Sequence, residues 1–157
     1  MTDSLSDRIT ILPATAEDAE LIHRLLTELE GSIGAKDRIR RKPEDLLRFG
    51  FSEGPFFEAL IARSGESALG LAVFFREFST WRGSPGVYVQ DLYVASEARG
   101  CGLGRQLMDA VLERARAWGA TYCKLAVYGE NTGAMAFYRQ LGFHVSARER
   151  VLMLDGI

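Results

Sequence analysis

The chain has 157 residues, 47% apolar and 25% charged, which fits one domain, residues 1–157, with a sizeable core. Its 19 basic and 21 acidic side chains leave a net charge of −2, which argues against a nucleic-acid partner. No apolar run approaches membrane-spanning length. A polar start, Met1 to Asp7, leads into an expected first strand near residues 7–12. Thr15 with Asp18 resembles a capping box, and Leu21, Ile22, Leu25, Leu26 and Leu29 then repeat at helical spacing, so a helix is expected over 16–30, ended by Gly31 and Gly34. Pro43 opens a short second helix carrying Leu46, Leu47 and Phe49, closed by Gly50 or Gly54. Strands follow at Phe56–Ala62 and Ala68–Phe78, the latter apolar enough to be buried on both faces. A Ser-, Gly- and Pro-rich turn leads to a strand at Val87–Ala95, and a long helix runs from about 103 to 118, capped by Gly119. Tyr122–Tyr128 is a strand, Asn131 starts a helix stopped by Gly142, and Phe143–Val145 and Val151–Leu154 are two short closing strands. The order βααβββαβαββ describes a mixed α/β domain with helices flanking a central sheet.

Cys101 and Cys123 lack metal-ligand spacing and read as free thiols of a reducing compartment; His23 and His144 have no companion ligands. With the polar start, these features make the expected location cytoplasmic and no metal site expected. The basic run Lys36, Arg38, Arg40, Arg41, Lys42 reads first as a solvated loop and second as extra attraction for a phosphorylated ligand.

The strongest chemical signal is Arg99-Gly100-Cys101-Gly102-Leu103-Gly104, set between a strand and a helix. A strand turning into a helix leaves the first helical N–H groups unpaired. Glycines admit left-handed angles and close approach, and the helix dipole favours an anion. The loop is therefore a phosphate seat. Gly104 is followed by Arg105-Gln106, so it is not a P-loop, which needs Lys-Ser or Lys-Thr there. The single residue between Gly102 and Gly104 also departs from the dinucleotide fingerprint.

Arg99, Gly102 and Gly104 fill the pattern Arg/Gln-x-x-Gly-x-Gly/Ala, and the segment Asn131 to Phe143 resembles Asn-x-x-Ala-x-x-x-Tyr-x-x-x-Gly-Phe. Both are motifs of the GCN5-related N-acetyltransferases, in the order in which that family carries them. The stretch from Phe75 through Val94 and the segment Pro43–Phe57 are similar to the diamine (spermidine/spermine) and thialysine acetyltransferase branch. The resemblance implies a central mixed, mostly antiparallel sheet flanked by helices, acetyl-CoA as donor, a small-molecule primary amine as acceptor (a polyamine, a diamine or a lysine-like amino acid) and a homodimer to which the last strands contribute.

It also implies roles. Backbone N–H groups of Cys101, Gly102, Leu103, Gly104 and Arg105 hold the pyrophosphate, with Arg99 and Gly100 opening the loop. The pantetheine pairs with the strand around Leu92, Tyr93 and Val94, and an N–H of Leu92 or Tyr93 stabilises the thioester oxygen. Tyr138 donates a proton to the departing sulfur, a phenol being protonated at neutral pH with a reference pKa of about 10. Asn131 contacts the pantetheine or caps its helix. The branch carries a Glu-Asp pair where this chain has Gln90 and Asp91, so the strongest candidate base is replaced by an amide. Asp91 is then the expected base, although alternation puts it on the face opposite Gln90 unless a bulge intervenes. Its other reading is a structural carboxylate, with a water chain, Glu77 or the substrate's own free amine as substitutes. Trp81, Gln90 and Asp91 are expected at the acceptor, and Glu28 and Glu30 as added negative charge. Alternatives are a protein, peptide or aminoglycoside acceptor, and a silent acyl-CoA-binding module that keeps the loop but has lost the base.

Overall fold

The computed structural model describes residues 8–157; the polar start Met1–Asp7, with the first residue of the expected opening strand, lies outside the described residues. The elements are β1 (Ile9–Pro13), α1 (Ala19–Ser32), α2 (Pro43–Gly50), β2 (Glu58–Ser64), β3 (Ser67–Ser79), β4 (Ser84–Val94), α3 (Leu103–Ala117), β5 (Cys123–Leu125) and α4 (Thr132–Gln140). Short 3₁₀ turns at Ala16–Asp18, Lys36–Arg38 and Ser96–Ala98 join them. They fall into two compact units, one up to Ala126 and one over Val127–Ile157.

The first unit is a five-stranded sheet in the order β1-β2-β3-β4-β5. The strands from β1 to β4 pair antiparallel, β1 and β2 across the two helices α1 and α2 and the others through tight hairpins, whereas β5 runs parallel to β4. A parallel neighbour requires a crossover, and α3 supplies it. The apolar positions of β2 and β3 alternate between two buried faces. Ala59, Ile61, Leu71 and Val73 meet Ile22, Leu25 and Leu26 of α1 and Leu46 of α2. On the opposite face Phe74 stacks on Trp118, just past α3, with ring centroids 6.3 Å apart. Leu103, Leu107, Met108, Val111 and Ala115 give α3 a buried stripe at helical spacing.

Local chemistry accounts for most element ends. The backbone N–H of Thr15 donates to the Asp18 carboxylate at 2.8 Å, but this acid closes a 3₁₀ turn, and α1 starts only at Ala19. α1 also runs through Gly31 to Ser32, and it is Gly34, at φ +72°, that turns the chain away. Lys42 N–H donates to Asp45 at 2.7 Å ahead of Pro43, fixing the entry to α2. Gly50, the last residue of α2, has no room for a side chain, since a Cβ there would run into the Phe57 ring.

In the second unit, Asn131 Oδ1 accepts the Ala134 N–H at 3.0 Å and caps α4. The Tyr138 ring meets Phe137 and Phe143 edge to face, with centroids 5.1 and 5.5 Å apart. The expected strand Tyr122–Tyr128 shortens to Cys123–Leu125, and the two closing strands are not formed. Neither Phe143–Val145 nor Val151–Leu154 pairs with another strand among the described residues. A strand without a ladder leaves its N–H and C=O groups to water and gains nothing over irregular chain. Val151, Leu152, Met153 and Leu154 are accordingly exposed, Leu152 at 92%.

Candidate functional site

Two neighbouring stretches of the first unit have chemical capacity, and β4 joins them. The first is the glycine loop. Gly100 and Gly102 hold φ of +79° and +83°, in the left-handed region that disfavours a side chain. Gly102 is the N-cap of α3, and the first helical bond runs from the Gln106 N–H to the Gly102 carbonyl at 3.1 Å. The N–H groups of Leu103, Gly104 and Arg105 therefore have no acceptor within the helix. No Cβ or neighbouring side chain crowds Gly100 or Gly102, where an added Cβ would meet nothing within 4 Å. Left-handed glycines, unpaired N–H groups and a fifteen-residue helix behind them fit a phosphate group. Leu103 points its side chain into the core and contributes only backbone. Cys101 Sγ donates to the Ala98 carbonyl at 2.8 Å, with no base beside it.

The second stretch is the end of β4. Beyond Val89, which pairs with Leu125, β4 pairs with no strand on that side among the described residues. Hydrogen-bond alternation identifies which groups line that edge. Ala95 N–H donates to Leu69 O at 2.8 Å, so Tyr93 and Asp91 bond towards β3 while Leu92 and Val94 turn their N–H and C=O groups outward. Arg99 Nε donates to the Val94 carbonyl at 3.0 Å, tying the glycine loop to this edge. Of the two backbone donors expected for the thioester oxygen, Leu92 is thus the one at the edge, and Tyr93 is turned into the sheet. The Tyr93 side chain is buried and its hydroxyl donates to Glu28 of α1 at 2.8 Å. Burial and that carboxylate push the phenol up to about 12.

The placement of Asp91 turns on one irregularity. Val73 pairs with Asp91 but the next residue, Phe74, pairs with Val89, leaving Gln90 as an extra residue in β4. This β-bulge reverses the phase of the strand. Val87 and Val89 share the α3 face with Phe74; Asp91 and Tyr93 share the α1 face with Val73 and Leu71. Without the bulge, Asp91 would follow Val89 to the α3 side. With it, Gln90 and Asp91 both line a cavity of about 480 Å³, a volume suited to a small molecule. Leu26, Leu46, Phe56, Phe57, Val73 and Phe75 form its apolar wall, and Glu30 and Arg41 complete it. Burial raises the Asp91 carboxyl to about 6, the nearby Arg41 lowering it and Glu30 raising it.

Arg41 was legible only as part of a basic loop, and here it forms a bidentate pair with Glu30, Nη1 to Oε1 at 2.5 Å and Nη2 to Oε2 at 3.0 Å. The eleven-residue separation carries no local signal, because the loop after α1 folds back to make the pair. One expected acceptor residue, Trp81, and one substitute for the base, Glu77, are not among the residues that line the cavity. Trp81 sits at the tip of the β3–β4 hairpin, 98% exposed, and does not line the cavity. The hairpin extends from Asp91 to Ser84, about 20 Å at about 3.3 Å per residue, and carries Trp81 beyond reach. Glu77 is also absent from the cavity and lies 3.8 Å from Lys124 Nζ. In the second unit, Asn131 and Tyr138 stand on α4 as its cap and in its aromatic cluster.

The first unit thus brings together an edge of β4 without a β5 partner, a glycine-turned helix start and a cavity lined by Glu30 and Asp91. The chain belongs to the acetyltransferase (GNAT) family, whose model matches residues 20–143. It is 32% identical to a thialysine N-epsilon-acetyltransferase of Bos taurus, over 85% of this chain and 83% of the relative. It is 28% identical to the human spermidine/spermine N(1)-acetyltransferase-like protein 1, over 99% of this chain but 24% of that longer protein. Its fold is that of the integron cassette protein VCH_CASS6 from the mobile metagenome of V. cholerae, at a TM-score of 0.79 and 23% identity, over 95% of this chain and 93% of that one. The protein is an N-acetyltransferase, and relatives of it act on small-molecule amines.

Proposed function

We propose that the enzyme transfers an acetyl group from acetyl-CoA to the primary amine of a small molecule (a polyamine, a diamine or a lysine-like amino acid) by direct attack of the amine. The observation that carries this reading is the bulge at Gln90, which brings Asp91 into an apolar cavity beside the open edge at Leu92. Acetyl-CoA supplies an acetyl group already activated as a thioester. The backbone N–H groups of Cys101, Gly102, Leu103, Gly104 and Arg105, together with Arg99 and Gly100, hold its pyrophosphate. Leu92 and Val94 offer backbone groups to the pantetheine, as an open strand edge does to any extended partner. The Leu92 N–H stabilises the negative charge that develops on the acyl oxygen. Asp91, with a pKa of about 6, is mostly ionised at neutral pH yet basic enough to take a proton from an ammonium held against it. Gln90 offers an amide to the same acceptor.

Tyr138 is assigned proton donation to sulfur, and Asn131 the fixing of its helix; both roles rest on the resemblance of the Asn131–Phe143 segment. We extend the reading to a homodimer, in which the exposed residues Val151–Leu154 are covered, and to a cytoplasmic location. Sedimentation at several concentrations reads the oligomer directly.

The test is release of free CoA from acetyl-CoA against spermidine, putrescine, lysine, thialysine, short peptides and aminoglycosides. Turnover of the small amines is expected. Tyr138→Phe should lose turnover on the order of a hundredfold while acetyl-CoA still binds. Turnover confined to peptides or aminoglycosides would overturn the acceptor class, and binding of acetyl-CoA without any turnover would overturn the enzymatic reading of the cavity.

A further inference from the structure

The acceptor cavity contains more charge than one base requires, and the arrangement of that charge is informative. Glu30 and Asp91 are its carboxylates, Arg41 its cation and Gln90 its neutral amide. Arg41 spends both terminal nitrogens on the two oxygens of Glu30, at 2.5 and 3.0 Å. Both side chains are mostly buried, with exposures of 20% for Arg41 and 24% for Glu30. Arg41 Nη2 also reaches the His23 carbonyl at 3.4 Å, which anchors the guanidinium to α1. Arg41 Nε is buried with no hydrogen-bond partner, so the pair is held in place at the expense of one donor. Glu30 is neutralised where it stands, and among the described residues Asp91 is the cavity carboxylate without an ion-pair partner, Arg41 acting on it only from a distance.

We infer that Arg41, through its pair with Glu30, is a specificity-determining residue that restricts the acceptor to one net positive charge. This rests on the acceptor reading proposed above and narrows it. An amine with one ammonium group and an apolar body satisfies Asp91 with its cation and the phenylalanine wall with its chain. A lysine-like amino acid also qualifies, because its own carboxylate compensates its second ammonium. A diamine or polyamine brings a second ammonium that must leave water without a free carboxylate and must approach Arg41. Cavity size is held constant by choosing a monoamine with as many heavy atoms as the diamine, so that charge alone disfavours the diamine.

The experiment compares kcat/KM for n-hexylamine and for cadaverine, which have the same number of heavy atoms and differ by a terminal methyl in place of the second ammonium, in the 157-residue chain. Wild type should prefer the monoamine. Arg41→Gln frees Glu30 and should shift the ratio towards cadaverine by about tenfold or more, the scale of one charge interaction in a partly buried site. Glu30→Gln leaves Arg41 uncompensated and should shift the ratio the other way while weakening both amines. The double variant Glu30→Gln/Arg41→Gln restores the net charge of the cavity and should return the ratio to within about threefold of wild type. A merely structural role for the pair would lower both substrates together and move no ratio. Equal use of both amines by wild type, or an unchanged ratio in Arg41→Gln, would overturn the inference while leaving acetyl transfer to amines intact. If no amine in the broader panel turns over, it is the acceptor reading itself that fails.

Discussion

The two working regions of this enzyme are built in opposite ways. The glycine loop, Arg99 to Arg105, is contiguous and acts through backbone: two left-handed glycines and the unpaired N–H groups at the start of α3. The acceptor cavity is assembled from α1, the loop after it, α2, the segment before β2, and both long strands, and it acts through side chains. The loop is a local solution to a problem of main-chain geometry. The cavity is a tertiary solution to a problem of charge and volume. Damage to the loop should therefore act through one backbone torsion and leave the chemistry of the acceptor side alone. Damage to the cavity should act through ionisation.

Removing the Asp91 carboxylate should have the largest effect. Asp91→Asn should lower kcat by roughly a hundred- to ten-thousand-fold, the usual contribution of a positioned base. Steady-state assays with saturating acetyl-CoA measure it. Wild-type kcat/KM should show an acid limb near pH 6, the value to which burial raises Asp91, and the variant should lose that limb. Retention of the limb in Asp91→Asn would assign the proton transfer to another group.

The same substitution should stabilise the fold, and the sign follows from the shift. The Asp91 carboxyl titrates at about 6 in the folded protein against 3.8 for the unperturbed group, so the folded state holds its proton more tightly. Its contribution to stability is fully present below about pH 4 and is lost as the pH rises through 6. At about 1.4 kcal/mol per unit, a shift of about two units amounts to about 3 kcal/mol. The stability of Asp91→Asn minus that of wild type should grow by about that much between pH 4 and pH 7 in urea melts. A flat difference across that range would mean that Asp91 is as well solvated folded as unfolded.

What could be read from the sequence divides along the same line. The order of elements from β1 to α4 and the glycine-turned start of α3 were legible because helix periodicity, strand runs and glycine spacing are local signals. Asp91 was expected at the acceptor by resemblance, while strand alternation alone put it on the face opposite Gln90; its face depends on a bulge that pairs Val73 with Asp91 and Phe74 with Val89. No residue type announces that slip; Gln90 would sit in a regular strand as readily. Arg41 was misread for a related reason: its partner Glu30 is brought to it by a loop of which the sequence shows only the basic charge. Trp81 looked like an acceptor residue by likeness to a branch, and the length of the β3–β4 hairpin removes it from the cavity. The closing strands Phe143–Val145 and Val151–Leu154 have strand-like composition but no ladder to join.

The smallest predicted effect tests the other side of the comparison. Gly102 sits at φ +83° with open space where a Cβ would go, so Gly102→Ala introduces torsional strain and no clash. Left-handed backbone costs an ordinary residue about 1–2 kcal/mol. The loop can carry that cost, or relax and move the N–H groups that follow. Either way the variant should weaken acetyl-CoA by about tenfold, seen as a raised KM for the donor and a reduced affinity in calorimetry. The acid limb near pH 6 should stay where wild type has it, because neither Asp91 nor its cavity neighbours have changed. Gly102→Val should cost more than Gly102→Ala, because a β-branched side chain fits left-handed backbone worse than a methyl does. A displaced acid limb would mean that the loop and the cavity are coupled through β4 rather than separable.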